Sequence, residues 1–262
     1  MSAIARYFKY AGFGVSGYDR TPSRLTAQLE KEGIEIHYED RPDLIPLNVE
    51  NTFVIYTPAI PLDLGEFRYV KENGYIMWKR AKALGEIARG KCCLAISGTH
   101  GKTTTSTLLA HILQQQADGC TAFLGGISKN YHSNLLLSRG NALVAEADEF
   151  DRSFLPLFNE IAVITSTDAD HLDIYGDHAH VKEAFHKFGS QVKSYLIVKD
   201  TVDFNPEGIK ARILRYSYDK ESDFYASDIK AVEGGKFDFT LNYTLKNGTH
   251  RSIEHCVVGI PG

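Results

Sequence analysis

The chain has 262 residues, a length that favours two ordinary domains, and it is 43% hydrophobic and 24% charged. No apolar run reaches the roughly 18 to 20 residues that cross a bilayer, so the composition excludes a membrane-embedded protein. A formal net charge of -4 excludes a broad nucleic-acid-binding face, since duplex binding depends on basic side chains. We therefore expect small anionic ligands in a local site, with no membrane and no nucleic acid as partners.

The opening residues and the cysteines indicate a cytosolic protein. Lys and Arg are interleaved with apolar residues in MSAIARYFKYAGFG, unlike the separate charged and apolar regions of a secretory signal. The four cysteines match neither a disulfide framework nor a zinc ligand set: they are Cys92, Cys93, Cys120 and Cys256. We expect Cys92 and Cys93 to be ordinary buried residues of a strand.

Alternating helices and strands are predicted for the first part of the chain. A helical stripe of Ile4, Ala5 and Phe8 comes first, and Thr21-Pro22 is typical of a helix start. Short strands are predicted over residues 15–17, 34–37 and 52–56. This alternation indicates a parallel sheet covered on both faces, as in dinucleotide-binding folds. Such a domain normally begins with a strand, whereas this chain opens within the first helix, so we expect its first strand to be missing.

A second alternation follows the helix predicted over residues 79–90, which ends at Gly90. We place a domain boundary near residue 89, giving domains of residues 1–88 and 89–262. Apolar runs typical of buried parallel strands occupy residues 92–96, 142–145, 161–165 and 195–198. Amphipathic helices are predicted over residues 103–116, with Leu108, Leu109, Ile112 and Leu113 on one side, and 178–193, with Val181, Ala184, Phe185 and Phe188 on one side. From about residue 222 an alternating pattern, with a turn at Asn247-Gly248, predicts antiparallel strands.

The strongest functional signal is the loop SGTHGKTT, from Ser97 to Thr104, between a predicted strand and a predicted helix. Backbone N–H groups in such a loop bind polyphosphate, Lys102 can reach the terminal phosphates, and the Thr103 hydroxyl can ligate Mg²⁺. The loop is shorter than usual, because Ile96 stands where a glycine five residues before Gly101 is expected. That departure argues against an ordinary GTPase or small-molecule kinase.

Two polar segments follow later strands. Glu146 begins the sequence EADEFD after the strand predicted at 142–145, where a nucleotide-bound Mg²⁺ needs oxygen ligands. His171 lies in TSTDADHLD after the strand predicted at 161–165. Because parallel strands end at the same edge of a sheet, we expect the loop and both segments to converge on the phosphates.

These three motifs, in this order, resemble those of the Mur ligases, whose shortened phosphate loop is shared by the folylpolyglutamate synthetases. Within the family they are most similar to the members that join L-alanine to UDP-N-acetylmuramate. MSAIARYF and the stretches Val15 to Asp19 and Tyr56 to Pro61 resemble parts of the UDP-muramoyl-binding domain. The resemblance implies an α/β protein: a Rossmann-like N-terminal domain lacking its first strand, then a P-loop-type ATPase domain with a mostly parallel sheet and a C-terminal antiparallel segment.

The resemblance also implies an enzyme of peptidoglycan synthesis that uses ATP and Mg²⁺ and forms an acyl phosphate. It implies catalytic roles for Lys102, Glu146 and His171, and Mg²⁺ binding by Thr103, Glu146 and His171. ATP binding is implied for Gly98, Thr99, His100, Gly101, Lys102, Thr103 and Thr104. Substrate binding is implied for Asp19, Thr57, Ala59, Asp148 and Glu149, with Asp19 near the uridine. An acid at Asp19 would also suit the ribose of NAD, but the chain has no Gly-x-Gly-x-x-Gly loop.

The ends of the chain depart from the family pattern. Family members start with a strand and glycine-rich loop, and they continue beyond the Pro261-Gly262 position into a domain that helps to bind ATP and the amino acid. We therefore expect the 262-residue chain alone to have little or no ligase activity. Three alternatives remain open: another Mur-type ligase, such as one that reuses a cell-wall tripeptide or adds a later amino acid; a non-catalytic nucleotide-binding module; and a kinase.

Overall fold

The computed structural model describes residues 1–147, 154, 157–168 and 178–259. Contacts divide the chain into unit 1, Met1–Ala95 with Lys102–Phe158, and unit 2, Ile96–Gly101 with Asn159–Gly262. Within the described ranges, no helix combines the length and apolar character that crossing a membrane requires. The domain boundary near residue 89 stays a prediction.

Unit 1 opens with helices and strands in alternation, as the sequence predicts. The elements are α1 Ser2–Tyr10, β1 Ser16–Tyr18, α2 Arg24–Lys31, β2 Glu35–His37, β3 Phe53–Tyr56, α3 Gly65–Glu72, β4 Ile76–Lys79 and α4 Arg80–Ala88. β1 pairs with β2, and β3 with β4, both in parallel. The apolar patterns did not reveal α3 and β4, because both are short and only Val70 of α3 is fully buried.

The predicted start of α2 was wrong by two residues. The cap is Ser23, whose Oγ accepts the N–H of Thr26, while Thr26 Oγ1 accepts the N–H of Ser23. This reciprocal pair satisfies two donors that a helix end otherwise leaves without partners. Thr21 instead donates its N–H to Asp19 Oδ1, and so belongs to the preceding turn.

The remainder of unit 1 contains a sheet and helix α5, which packs against it. Its elements are the first four residues of β5 (Cys92–Ser97), then α5 Lys102–Gln114, β6 Thr121–Ser128, β7 Ser133–Leu136 and β8 Ala142–Glu146. The strand order is β5-β8-β6-β7, with β6 parallel to β8 and antiparallel to β7. A core cluster that includes Ala110, Cys120 and Val144 joins α5 to these strands.

The predicted apolar face of α5 was partly wrong. Ile112 is 60% exposed, whereas Ser106 and Ala110 are fully buried and Leu109 and Leu113 pack against the core. The buried positions follow the spacing of one helical face, with small residues where the helix approaches the sheet. The two small residues were overlooked because the prediction counted only large apolar side chains.

Unit 2 contains the last two residues of β5 and the later strands. Its other elements are β9 Asn159–Ile164, α6 His178–Ser190, β10 Tyr195–Lys199, β11 Arg212–Ser217, β12 Phe224–Val232, β13 Lys236–Thr244 and β14 His250–Val258. The strand order is β5-β9-β10-β11-β12-β13-β14. β9 to β12 pair in parallel, and β12 to β14 pair in antiparallel fashion.

The α/β fold predicted from the sequence is confirmed, with a mostly parallel sheet and C-terminal antiparallel strands. The predicted face of α6 is also confirmed, since Val181, Ala184, Phe185 and Phe188 are all buried. β5 ends at the predicted phosphate loop, β8 ends at Glu146, and β9 ends directly before Thr165.

Candidate functional site

The predicted phosphate loop, Ser97 to Thr104, follows β5, and two of its residues have backbone conformations that favour glycine. Gly98 has a φ of 134°, and a Cβ there would lie 2.8 Å from the backbone nitrogen of Ser166 and would also meet Thr165 Oγ1. Gly101 has a φ of 81° and is likewise in the left-handed region. Both glycines of the motif are therefore fixed by backbone geometry, and Gly98 also by the close approach of the next strand's end.

Residues Thr165 to Asp168, here called the brace, follow β9 and hold the loop from one side. Thr165 donates its N–H to Ser97 O (3.0 Å), and its hydroxyl, which has one proton to donate, lies within hydrogen-bond distance of both Ser97 O (3.1 Å) and His100 O. Ser166 accepts the N–H of Thr99 at its carbonyl (3.2 Å) and the N–H of His100 at Oγ (2.8 Å). The brace thus bonds to Ser97, Thr99 and His100.

The loop continues directly into α5, whose first residues are Lys102, Thr103 and Thr104. Lys102 is half-buried, and the two threonines are exposed. The first N–H groups of a helix have no partner within the helix, and the helix dipole is positive at this end. The N-terminus of α5 therefore favours an anion such as phosphate.

Glu146, at the end of β8, is held by two groups of unit 1. The Thr103 hydroxyl donates to Glu146 Oε1 (3.1 Å), and the Gly125 N–H donates to Oε2 (2.9 Å). A Cβ at Gly125 would lie 2.5 Å from the carboxylate carbon of Glu146, so a larger residue there would displace the carboxylate. We call Thr103, Gly125 and Glu146 the acidic cluster.

The acidic cluster fits a magnesium ion in its donor chemistry. A carboxylate and a threonine hydroxyl are hard oxygen donors, which Mg²⁺ prefers. Within the described residues, no group of three His, Cys, Asp or Glu side chains forms a metal site.

The remaining predicted residues have different outcomes. His171, Asp148 and Glu149 lie outside the described residues, so their roles stay predictions. Asp19 is exposed beyond β1; its Oδ1 accepts the N–H of Thr21 (3.1 Å), and its own N–H donates to His37 O.

Thr57 follows β3 and accepts the N–H of Ala59 at Oγ1 (3.4 Å). Ala59 is exposed, and Thr57 is half-buried. Asp19 and Thr57 thus stabilise their own turns, which leaves their predicted contact with a substrate untested.

Three residues that contribute to these contacts had not been assigned a role from the sequence: Gly125, Thr165 and Ser166. The signal for Gly125 was the Gly125-Gly126 pair inside the apolar stretch TAFLGGIS, because glycine within a strand indicates close approach by another group. Thr165 and Ser166 were visible as polar residues directly after a strand, but their partners are some 65 residues away in sequence. No local pattern encodes that pairing.

Cys93 and Cys120 are buried cysteines whose thiols have a raised pKa. Cys93 is fully buried in β5, and burial, with a smaller contribution from Cys92, raises the pKa of its thiol to about 12. Burial also raises the pKa of Cys120 to about 11. Both thiols stay protonated at neutral pH, and a protonated thiol is a poor nucleophile. The expectation of buried strand residues is confirmed for Cys93, while Cys92 is half-buried.

Comparison with known proteins gives consistent matches along the chain. Residues 1–92 match the Mur ligase family catalytic domain, and residues 96–259 match the Mur ligase middle domain. The chain is 49% identical over 269 residues to UDP-N-acetylmuramate--L-alanine ligase from Porphyromonas gingivalis, covering 100% of this chain and 58% of that protein. The chain therefore spans somewhat more than half the length of this relative.

Two solved structures share the fold. A UDP-N-acetylmuramate-alanine ligase from Thermotoga maritima has a TM-score of 0.78 at 24% identity, covering 100% of this chain and 58% of that one. A UDP-N-acetylmuramate:L-alanyl-gamma-D-glutamyl-meso-diaminopimelate ligase from Neisseria has a TM-score of 0.81 at 22% identity, covering 97% and 83%.

Proposed function

The chain belongs to the Mur ligase family, and we propose that it functions in an ATP-dependent ligase that joins L-alanine to UDP-N-acetylmuramate. The observation that carries the proposal is the acidic cluster: the Thr103 hydroxyl, from the phosphate loop, lies 3.1 Å from the carboxylate of Glu146. The 49% identity to the P. gingivalis ligase supports L-alanine as the amino acid.

We assign residues 1–88 to binding of the UDP-linked substrate and residues 89–262 to binding of ATP. In the first part, Asp19, Thr57 and Ala59 follow the ends of β1 and β3, where parallel sheets bind nucleotides. Asp148 and Glu149 complete the substrate contacts in this proposal. The cytosolic location remains a prediction from the sequence.

The reaction needs ATP because a carboxylate is a poor electrophile toward an amine. Transfer of the γ-phosphoryl group to the substrate carboxylate gives an acyl phosphate, which the amine of L-alanine attacks with release of phosphate. Phosphoryl transfer needs little covalent help from the protein and much neutralisation of charge. In our proposal Lys102 neutralises the terminal phosphates, and the loop from Gly98 to Thr104 shapes the site in which the triphosphate lies.

Mg²⁺, when bound, would neutralise the charge that develops on the phosphate oxygens. Thr103 and Glu146 are the described residues that would hold it, and His171 is the third ligand inferred from the sequence. Gly125 keeps the carboxylate of Glu146 oriented, because its N–H binds the oxygen that Thr103 does not.

A second candidate is a ligase for a preformed cell-wall peptide. The likeness to the Neisseria ligase, with a TM-score of 0.81, favours it on fold alone. The Neisseria and Thermotoga structures are nearly equal in TM-score and in sequence identity to this chain, so the fold does not distinguish the two activities. The 49% sequence identity to an alanine ligase therefore favours L-alanine.

The test is a product assay with ATP, Mg²⁺ and UDP-N-acetylmuramate, in which L-alanine, glycine, L-serine or the tripeptide is the amine. It is run on this chain and on the longest version that its gene encodes, and products are weighed by mass spectrometry. In the longest version we expect phosphate release that depends on L-alanine and a product heavier by one alanine residue. Nucleotide binding without amine-dependent phosphate release in both versions would indicate a non-catalytic module. ADP release with no amide product would indicate a kinase.

A further inference from the structure

We propose that Ser166 is a positioning residue of the phosphate loop, whose hydroxyl holds residues Thr99 and His100 in the conformation that receives the nucleotide. The inference rests on the proposed function, because it requires that this loop bind the phosphates of ATP. It goes further in assigning the shape of the loop to a residue outside the loop motif.

The need for support follows from the shortness of the loop. Ile96, in β5, stands where a longer loop has a glycine, so few residues remain between the strand and α5 to bond to one another. Backbone N–H groups in such a turn need partners, since an N–H without one is costly when it is shielded from water. The brace supplies those partners: Ser166 O accepts the N–H of Thr99, and Ser166 Oγ accepts the N–H of His100.

The Ser166 hydroxyl connects two consecutive residues of the loop. Besides accepting from His100, its Oγ lies 2.9 Å from Thr99 Oγ1, which itself accepts the N–H of Asp168 (3.2 Å). Thr99 is only 8% exposed, whereas His100 is exposed. The hydroxyl therefore fixes the point at which the loop emerges from the protein interior.

This arrangement divides the loop into two functional parts. The N–H groups of Thr99 and His100 bond to the brace, so they hold the loop and are not available to phosphate. The phosphates are then left to the groups that follow, including Lys102 and the N-terminus of α5. Removing the hydroxyl of Ser166 should leave the His100 N–H without its partner and allow this segment to turn.

The experiment compares Ser166→Ala with Ser166→Thr, which retains the hydroxyl, and with Ser217→Ala. Ser217 is a matched control because it is another serine of unit 2, is 5% exposed, and bonds through its hydroxyl to Asp200 and Asp219. Each variant of the 262-residue chain is titrated with Mg·ATP by calorimetry, well below its unfolding temperature. Exchange of the His100 amide proton is followed by NMR without nucleotide.

For Ser166→Ala we expect the Kd for Mg·ATP to be about tenfold higher, because one hydrogen bond that orients the loop is lost. His100 amide exchange should become at least tenfold faster. Ser166→Thr should bind within about threefold of the native chain, and Ser217→Ala should lower the unfolding temperature without changing the Kd.

The outcomes separate this inference from the proposed function. If the native chain binds Mg·ATP and Ser166→Ala binds it equally well, the inference is wrong and the ATP site stands. If Ser217→Ala weakens binding as much as Ser166→Ala, the effect is a general loss of stability and the inference is also wrong. If the native chain does not bind Mg·ATP, the proposed ATP site and the inference fail together. Should Ser166→Ala not fold, Ser166→Cys keeps the shape but accepts hydrogen bonds weakly, and the same weaker binding is expected.

Discussion

The phosphate loop and the N-terminal strand ends both carry predicted site residues, but they are built differently. Thr99 is 8% exposed and Thr165 is 9% exposed, and both bond to residues far away in sequence. Asp19 and Ala59 are exposed, and the side chains of Asp19 and Thr57 bond to residues two positions further along the chain. The loop is thus held by tertiary contacts, and the strand ends by their own turns.

The difference indicates how each region would bind its ligand. A loop that is fixed before binding loses little conformational entropy when phosphates arrive, so it can discriminate by position. Exposed turns with local bonds can adjust to a substrate, and they contribute little to the stability of the fold. Substitutions that break the tertiary contacts of the loop should therefore affect both folding and ATP binding, whereas substitutions at the strand ends should affect only binding of the UDP-linked substrate.

The largest effect is expected for Gly98→Ala. The new methyl group would meet the backbone of Ser166 at 2.8 Å, and the φ of 134° is strained for alanine, so we expect a loss of about 3 kcal/mol or more in the free energy of unfolding. Urea unfolding measures it. Gly17→Ala, in β1, is the control from the other region, because a Cβ there meets nothing within 4 Å, and it should change stability by less than about 1 kcal/mol. Equal losses in the two variants would contradict the comparison.

The next largest effect is expected for Lys102→Ala, which should weaken ATP binding without changing the fold. Lys102 is half-buried, and without its ammonium group we expect ATP affinity to fall by about 2 to 3 kcal/mol; in the longest version that the gene encodes, productive use of ATP should be abolished. Calorimetry with Mg·ATP measures the affinity, and circular dichroism checks that the fold is intact. Near-normal affinity or turnover would remove our principal catalytic assignment.

Gly125→Ala should have an intermediate effect through Glu146. The added methyl group would displace the carboxylate from the Gly125 N–H and from Thr103. The factor by which Mg²⁺ tightens ATP binding should therefore fall by about tenfold. The matched control is Gly126→Ala, for which the nearest atom, Thr103 Cγ2, is 3.6 Å from the new Cβ. An unchanged Mg²⁺ titration in Gly125→Ala would show that the position of Glu146 does not matter.

The smallest effect on stability is expected for Asp19→Asn. The side chain is exposed and its acceptor oxygen is retained, so the free energy of unfolding should change by less than about 0.5 kcal/mol. Binding of ATP should be unchanged, and only the affinity for UDP-N-acetylmuramate should fall. Parallel titrations with the two ligands measure both. A fall in ATP affinity would contradict our assignment of Asp19 to binding of the UDP-linked substrate.

The parts of the fold that could be predicted are those with local signals. Strand β5, helix α6 and the loop between β5 and α5 follow from apolar periodicity and a glycine motif, and their positions were correct within a few residues. The brace could not be predicted because Thr165 and Ser166 find their partners through the pairing of distant strands. Gly125 was missed for the same reason, since its role depends on a carboxylate 21 positions later.

The ion-binding role of the acidic cluster is the central claim, and the Mg²⁺ dependence of ATP binding tests it most directly. Calorimetric titration of ATP into the native chain and into Glu146→Gln, each with and without Mg²⁺, gives four affinities. We predict that Mg²⁺ tightens binding at least tenfold in the native chain and less than threefold in Glu146→Gln, because the amide is a weaker ligand than the carboxylate. An equal gain from Mg²⁺ in both proteins would contradict the assignment of Glu146 as a metal ligand.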